Sequence, residues 1–384
     1  MGTWRVGGRR AFDVACYRCS WRAAGEVAYE CPDCGSPVLL EVAPLSAPPS
    51  VDGGGVWARR DLLPVGTTEV TLGEGGTPVV ELPSDWHPGG GRIVAKLESL
   101  NPTLSFKDRA MALGAALAVQ LGQRGLVVAS TGNAAVSASA YAAAAGLKCR
   151  VLVGADSRAR GKLDACRTLG ARVEEVAGDY SAAYALARGC EGDSWLNVST
   201  TYRNPILAEA YRGLAFELLD QLGEVPEAVV VPVGAGPLLR GVERGFDDLR
   251  ACGLGDRAPR MVAVQAAAVA PVRAAWLRRR GRADDPPSVD VTTIATAIAD
   301  PLRGYADHAE ITVDAVLRSG GTVVAVDDAT TATATERLLR AGLWVEPSAA
   351  TALAALGAAE VADLLSGERP VVLLLTGHGA KVRA

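Results

Sequence analysis

Aromatic residues make up only 5% of this 384-residue chain, and Met and His number 3 each. There is no excess of basic charge: 39 Lys and Arg face 43 Asp and Glu, for a formal net charge of -4. That balance excludes a nucleic-acid binder working through a basic surface. No run reaches the roughly 18–20 apolar residues that a membrane span needs. The longest candidate, Ala134 to Gly146, is built of Ala and Ser and is interrupted by Tyr141. The opening residues Met1-Gly2-Thr3-Trp4-Arg5-Val6 lack the apolar core of a signal peptide, and Val6 stands where a myristoylation signal has Ser or Thr. The expectation is a cytoplasmic protein with neither membrane nor nucleic acid as a partner.

What the chain has in quantity is small residues. Hydrophobic residues make up 49%, mostly Ala and Val, beside 43 Gly. This content excludes disorder as the main state and suits close packing of helices on sheets. At about 100–200 residues per domain, the length allows two or three domains.

Four of the 8 Cys fall as Cys16-x-x-Cys19 and Cys31-x-x-Cys34. Two such turns bring four thiolates to one ion and close a tetrahedral site, with no position left for a catalytic water. Gly35 supplies the flexible position after the second pair. A structural zinc ribbon is therefore expected over residues 12–42, holding Zn2+ through Cys16, Cys19, Cys31 and Cys34. Cys149, Cys166, Cys190 and Cys252 stand singly and read as small buried hydrophobes.

The segment from Ala43 to Gly55, rich in Pro, Ser and Gly, is a linker by composition. From about residue 92, short β-branched runs alternate with Ala-rich helical stretches, the α/β signature. The runs are Ile93–Lys96, Leu126–Ala129, Arg150–Val153, Arg172–Val176, Val229–Val233, Met261–Val264, Thr322–Val326 and Val371–Leu375. So many strands predict two doubly wound parallel sheets rather than one. Arg278-Arg279-Arg280 with Arg282, beside Pro286-Pro287, reads as a solvated charged face.

Ligands of open α/β sheets sit beyond the carboxyl ends of the strands. Three loops there carry chemistry. Ser130-Thr131-Gly132-Asn133 follows a strand and opens a helix, so its hydroxyls and N–H groups can seat a carboxylate. Gly234-Ala235-Gly236-Pro237-Leu238 lets the backbone approach a phosphate at a helix start. It fits neither the Rossmann fingerprint, since Leu239 stands at the third Gly, nor the P-loop. The third loop is Thr376-Gly377-His378-Gly379. Lys107, in Ser105-Phe106-Lys107-Asp108-Arg109, lies where a turn enters a helix. The helix dipole and Arg109 disfavour its protonation, as a Schiff-base lysine requires, although a solvated first turn has the same composition. His378 reads as a loop-ordering residue.

Taken together, five motifs resemble threonine synthase and its relatives among the fold-type II pyridoxal-phosphate enzymes. They are Ser105 to Arg109 after Asn101-Pro102, Ser130 to Asn133, Gly73-Glu74-Gly75-Gly76-Thr77-Pro78, Glu346-Pro347-Ser348-Ala349-Ala350 and Leu375 to Lys381. The resemblance runs from about residue 12 to 384, and the ribbon is similar to that of some members. It implies a tryptophan-synthase-β-like fold of two doubly wound domains with a zinc ribbon at 12–42. A large cofactor-binding domain would comprise 43–110 and 206–384, and a small domain 111–205. It also implies a lyase of amino-acid biosynthesis that takes a small-molecule amino-acid substrate, and a homodimer.

By the same resemblance Lys107 would be the catalytic residue holding pyridoxal 5'-phosphate, beside Phe106, and would shuttle the Cα proton. Asn133 would bond the ring hydroxyl oxygen, Ser130, Thr131 and Gly132 the substrate carboxylate, Gly234, Ala235, Gly236, Pro237 and Leu238 the cofactor phosphate. Thr376 would face the pyridine nitrogen, and a hydroxyl there favours elimination or replacement over transamination. The implied reaction is conversion of O-phosphohomoserine to threonine and phosphate.

Three departures accompany the match. Leu207, in Asn204-Pro205-Ile206-Leu207, stands where threonine synthases carry an Arg for the substrate phosphate, with Arg203 and Arg212 the cations near it in sequence. Ala134 replaces a Thr. The phosphate loop lacks the usual Asn and looks like that of dehydratases. The alternatives are a paralogue performing β-elimination or β-replacement on another amino acid, as cysteate synthase or a dehydratase does, and a degenerate scaffold without catalysis. Intact Lys107, Asn133 and Thr376 speak against the scaffold.

Overall fold

The computed structural model describes residues 4–7, 10–66, 68–155, 160–192, 194–199, 202–282 and 292–381. Met1 to Thr3 and the Pro286-Pro287 pair lie outside the described residues. The chain divides into two compact units, one of Met1–Gly76 with Asn101–Gly213, the other of Thr77–Leu100 with Leu214–Arg383.

The first unit begins with a three-stranded antiparallel sheet in the order Arg22–Ala24, Phe12–Cys16, Val38–Val42. Phe12, Val14, Val38, Leu40 and Val42 are buried while Asp13 and Glu41 are exposed, the period-2 alternation of a sheet with one wet face. A parallel four-stranded sheet follows, in the order Arg172–Val176, Lys148–Gly154, Gly125–Ala129, Trp195–Asn197. Helices α1 (Lys107–Gln120) and α2 (Asn133–Ala144) belong to this unit. Every residue of α1 from Asp108 to Ala118 is buried, so its small side chains face neighbours all round. At Gly114 a Cβ would lie 3.2 Å from Leu207 Cδ2 and 3.3 Å from Val198 Cγ1, which explains the glycine.

The second unit holds a six-stranded sheet in the order Thr322–Val326, Arg260–Ala266, Ala228–Pro232, Val371–Leu374, Ile93–Lys96, Val79–Leu82. All neighbours are parallel except the antiparallel edge strand Val79–Leu82. Its central strands Ala228–Pro232, Val371–Leu374 and Ile93–Lys96 are wholly buried, as parallel strands with both faces covered must be, while the edge strand Val79–Leu82 is only partly so. The helices carry the expected punctuation. Asp327 caps Asp328–Arg340 by accepting Thr330 N–H at 2.7 Å. Gly146 and Gly170 adopt left-handed conformations after helices of the first unit.

Both sheets, the eight expected strands and the helices between them are present. Two short strands, Trp195–Asn197 and Val79–Leu82, are additions that the periodicity does not announce. The Arg-rich run is exposed, as a solvated face should be, and on it Arg279 pairs with Glu310 and Asp314 while Arg280 lies over the Trp276 ring. Among the described residues no helix is long and apolar enough to cross a membrane.

Candidate active site

Lys107 is the first residue of α1 and half-buried, with its Nζ 4.6 Å from the centroid of the Phe106 ring. The turn leading to it is held in an uncommon backbone. Leu104 takes a left-handed φ of 64°, which a non-glycine residue adopts only when its surroundings impose it. Asp108, wholly buried, fixes the start of the helix. It accepts Thr103 N–H at 2.6 Å and the hydroxyls of Thr103 and Ser137 at 2.5 Å each. Because Ser137 lies on α2, this carboxylate ties the helix of Lys107 to the helix that Asn133 opens.

Asn133 is buried as the first residue of α2, and Gly132 is its N-cap. Ser130 Oγ accepts Gly132 N–H at 3.1 Å, so the loop's own hydroxyl satisfies one of the donors expected to seat a carboxylate. The motif Gly73–Gly76 belongs to the same unit. Glu74, fully buried, accepts Tyr141 Oη at 2.7 Å, Leu72 N–H at 3.0 Å and Thr71 Oγ1 at 3.1 Å, all on Oε2. Burial, together with the nearby carboxylates of Asp108 and Glu74, pushes the Tyr141 phenol far up, so it stays a donor.

In the second unit, Gly234 to Gly236 join the strand Ala228–Pro232 to the helix Pro237–Ala251. Gly236 is left-handed with φ 111°, and a Cβ there would sit 2.1 Å from Thr312 Oγ1. Thr312 Oγ1 also donates to the Ala235 carbonyl at 2.5 Å, pinning the loop. Pro237 at the first helical position has no N–H, and the first-turn donors after it have no intrahelical acceptor. Thr376 is buried just past the strand Val371–Leu374. Gly377 O accepts Glu346 N–H at 2.9 Å and His378 Nδ1 accepts Ala380 N–H at 3.1 Å, the loop-ordering role expected of His378.

Each unit by itself offers chemistry suited to a part of pyridoxal phosphate: the first a primary amine at a helix start, as an aldehyde needs, and the second a loop of small residues with backbone donors, as a phosphate needs. No cationic side chain lies within Gly234–Leu238.

The four ribbon cysteines converge. Their Sγ atoms all lie within 4.8 Å of one another, at 3.5 Å for Cys16–Cys34, 3.6 Å for Cys19–Cys31 and 3.7 Å for Cys19–Cys34. A tetrahedron with metal–sulfur arms of ~2.3 Å has edges of about 3.8 Å, so the thiols fit one ion. The N–H groups of Arg18 and Cys19 point at Cys16 Sγ, at 3.3 and 3.4 Å, and Gly35 is left-handed with φ 72°. Hydrogen bonds from the Ser36 hydroxyl and N–H pull the Cys34 thiol down to about 6, whereas burial and the neighbouring thiols push Cys19 and Cys31 up.

Leu207 is fully buried. Two guanidiniums lie near it in sequence. Arg203 pairs with Glu30 and Glu191, each at 2.5 Å, and buried Arg212 pairs with Glu209. The residues that sequence reasoning missed are the supports, namely Tyr29, Asn197, Ser199, Thr312 and the Glu74–Tyr141 pair. Only Glu74 carried a signal, as part of a quoted motif.

Residues 70–377 match the family described as pyridoxal-phosphate dependent enzyme. The chain belongs to that family. Within it, the chain is a threonine-synthase-like lyase. It is 36% identical to the threonine synthase of Mycobacterium leprae over 331 residues, covering 85% of this chain and 88% of that protein. It is 35% identical to the threonine synthase of Methanocaldococcus jannaschii over 332 residues, covering 85% and 80%. Among solved structures, an L-serine ammonia-lyase from the fungus Rhizomucor miehei superposes with a TM-score of 0.65 at 23% identity, over 81% of this chain and 95% of that one. Threonine deaminase isoform 2 from Solanum lycopersicum gives 0.63 at 18%, over 90% and 97%. At these identities the two structures share the fold.

Proposed function

We propose that the chain uses Lys107 and pyridoxal phosphate to eliminate or replace a leaving group on the side chain of a small amino acid, with O-phosphohomoserine, converted to threonine and phosphate, as the substrate. The observation that carries this reading is Lys107 at the first position of α1, braced by Asp108, in a chain 36% identical to a threonine synthase. Bound cofactor supplies an aldehyde for the amine and an electron sink for the Cα carbanion. Lys107 would hold it and carry the Cα proton on its amine. Asn133 would hold the ring oxygen and Ser130–Gly132 the substrate carboxylate. Gly234–Leu238 would hold the phosphate through N–H groups, and Thr376 the ring nitrogen through a hydroxyl that does not force its protonation. Cys16, Cys19, Cys31 and Cys34 would hold one structural Zn2+.

A second reading, β-elimination or β-replacement on an amino acid without a phosphate leaving group, is favoured by the Leu207 segment. Leu207 brings no charge there, Arg203 is held by Glu30 and Glu191, and an unpaired buried dianion is costly. The test is to add pyridoxal phosphate, follow its absorbance at the violet edge, and assay O-phosphohomoserine, phosphoserine, serine and threonine for phosphate and ketoacid. No coloured complex, or one that survives Lys107→Ala, overturns the lysine assignment. Colour without phosphate release from O-phosphohomoserine selects the second reading.

A further inference from the structure

A chain of hydrogen bonds within the first unit links the ribbon to the loop that opens α2. Tyr29, two residues before Cys31, accepts Asn197 N–H through its hydroxyl at 2.8 Å. Asn197 Oδ1 accepts Ser199 N–H at 2.9 Å, and Ser199 Oγ accepts Ala129 N–H at 2.9 Å. Ala129 is the last residue of its strand and directly precedes Ser130. The junction is clamped from the side. Glu30 binds Arg203 at 2.5 Å and Arg188 at 2.8 Å, while Glu191 binds both Arg203, at 2.5 Å, and Asn197 Nδ2, at 2.7 Å.

Trp195–Asn197 is an edge strand, hydrogen-bonded on one side to Gly125–Ala129. Its outward N–H groups need acceptors from elsewhere, and Asn197 is fully buried, so water does not supply one. The Tyr29 hydroxyl does.

We propose that Tyr29 is a positioning residue for the Ser130–Asn133 loop, acting through Asn197 and Ser199, so that the folded ribbon sets the order of that loop. This rests on the reading of the loop as the seat of the substrate carboxylate. The two-state element is the ribbon itself. A four-thiolate module of this size folds with its ion and unfolds without it, which would withdraw Tyr29 and Glu30 together. Metal occupancy at the cysteines then biases the order of the loop.

Amide hydrogen exchange of Ala129–Asn133 in the protein as purified with cofactor, together with the visible circular dichroism of the cofactor, tests this. Tyr29→Phe should speed exchange of that segment about tenfold, the effect of one lost buried hydrogen bond, and change the dichroism. Exchange in Thr322–Val326 should stay as it was. Ser199→Ala should act alike, and the double variant should be no faster than the faster single one. Removing metal from the wild type should reproduce the effect. Unchanged loop exchange in Tyr29→Phe overturns the proposal, as does a double variant whose acceleration is the product of the two. If Tyr29→Phe does not fold, metal-stripped wild type decides, and unchanged loop exchange there overturns it. A wild type that takes up no cofactor defeats the functional reading instead, and the exchange comparison still reads the coupling.

Discussion

Tyr141 on α2 donates its phenolic proton to Glu74 at 2.7 Å, joining residues 67 positions apart with both side chains buried. The bond fastens the Gly-rich segment Gly73–Gly76 to the helix that Asn133 begins. Tyr141→Phe keeps the ring and removes the donor, leaving Glu74 Oε2 with Leu72 N–H and Thr71 Oγ1. A buried acceptor deprived of one partner costs about 1–3 kcal/mol, so urea unfolding should show that loss of stability. A midpoint equal to wild type would mean that the bond contributes nothing.

Gly236 lies in the loop proposed to hold the cofactor phosphate, and its backbone admits only glycine. Gly236→Ala places a methyl against Thr312 and holds a non-glycine residue at φ 111°, so the loop must move. Cofactor affinity, measured by equilibrium dialysis, should fall about tenfold or more, the factor that ~1.4 kcal/mol of backbone strain produces. Adding Thr312→Ala removes the Oγ1 and Cγ2 contacts but leaves its Cβ 2.8 Å from the new methyl and leaves the φ penalty, so recovery should be partial. Full recovery would assign the whole effect to the side chain of Thr312.

Much of this was legible in the sequence because it is local. Lys107, the Ser130–Asn133 turn, Gly236 before Pro237 and the paired cysteines are each written within a few residues, and the strands announce themselves by β-branched runs. What escaped depends on partners far along the chain. Tyr29 meets Asn197 across 168 positions, and nothing in the run Ala28-Tyr29-Glu30 says so. Lys96 closes an apolar strand, and nothing local names its partners: it is fully buried, with Nζ satisfied by Glu217 at 2.6 Å, the Thr77 carbonyl at 2.6 Å and Gln221 at 3.0 Å. Arg203 and Arg212 look like spare cations until their carboxylates, supplied by Glu30, Glu191 and Glu209, are seen.

The ribbon should depend on metal while the second unit does not. Chelation should release one zinc per chain and open residues 12–42 to proteolysis, because three short strands bury too little apolar surface to hold four bare thiols together. Mass spectrometry of the fragments locates the cuts. Cuts scattered equally through Leu214–Arg383 would count against a local effect.

Glu227 makes acid stability testable. Burial alone would raise its carboxyl, but the Ser366 N–H at 2.7 Å, the Ser366 hydroxyl, the Gly367 N–H at 3.1 Å and Arg260 overcome that and hold it below the ordinary glutamate value. A folded-state value below the unfolded one means the carboxylate contributes stability above the unfolded pKa, near 4.3, and loses it as pH falls through the folded value. Glu227→Gln removes the titration. The wild type should therefore exceed the variant in denaturant midpoint at pH 6, and the gap should narrow from about pH 5 downward. A gap that stays constant to pH 3 would show that the carboxylate's charge is not what the Ser366–Gly367 turn recognises.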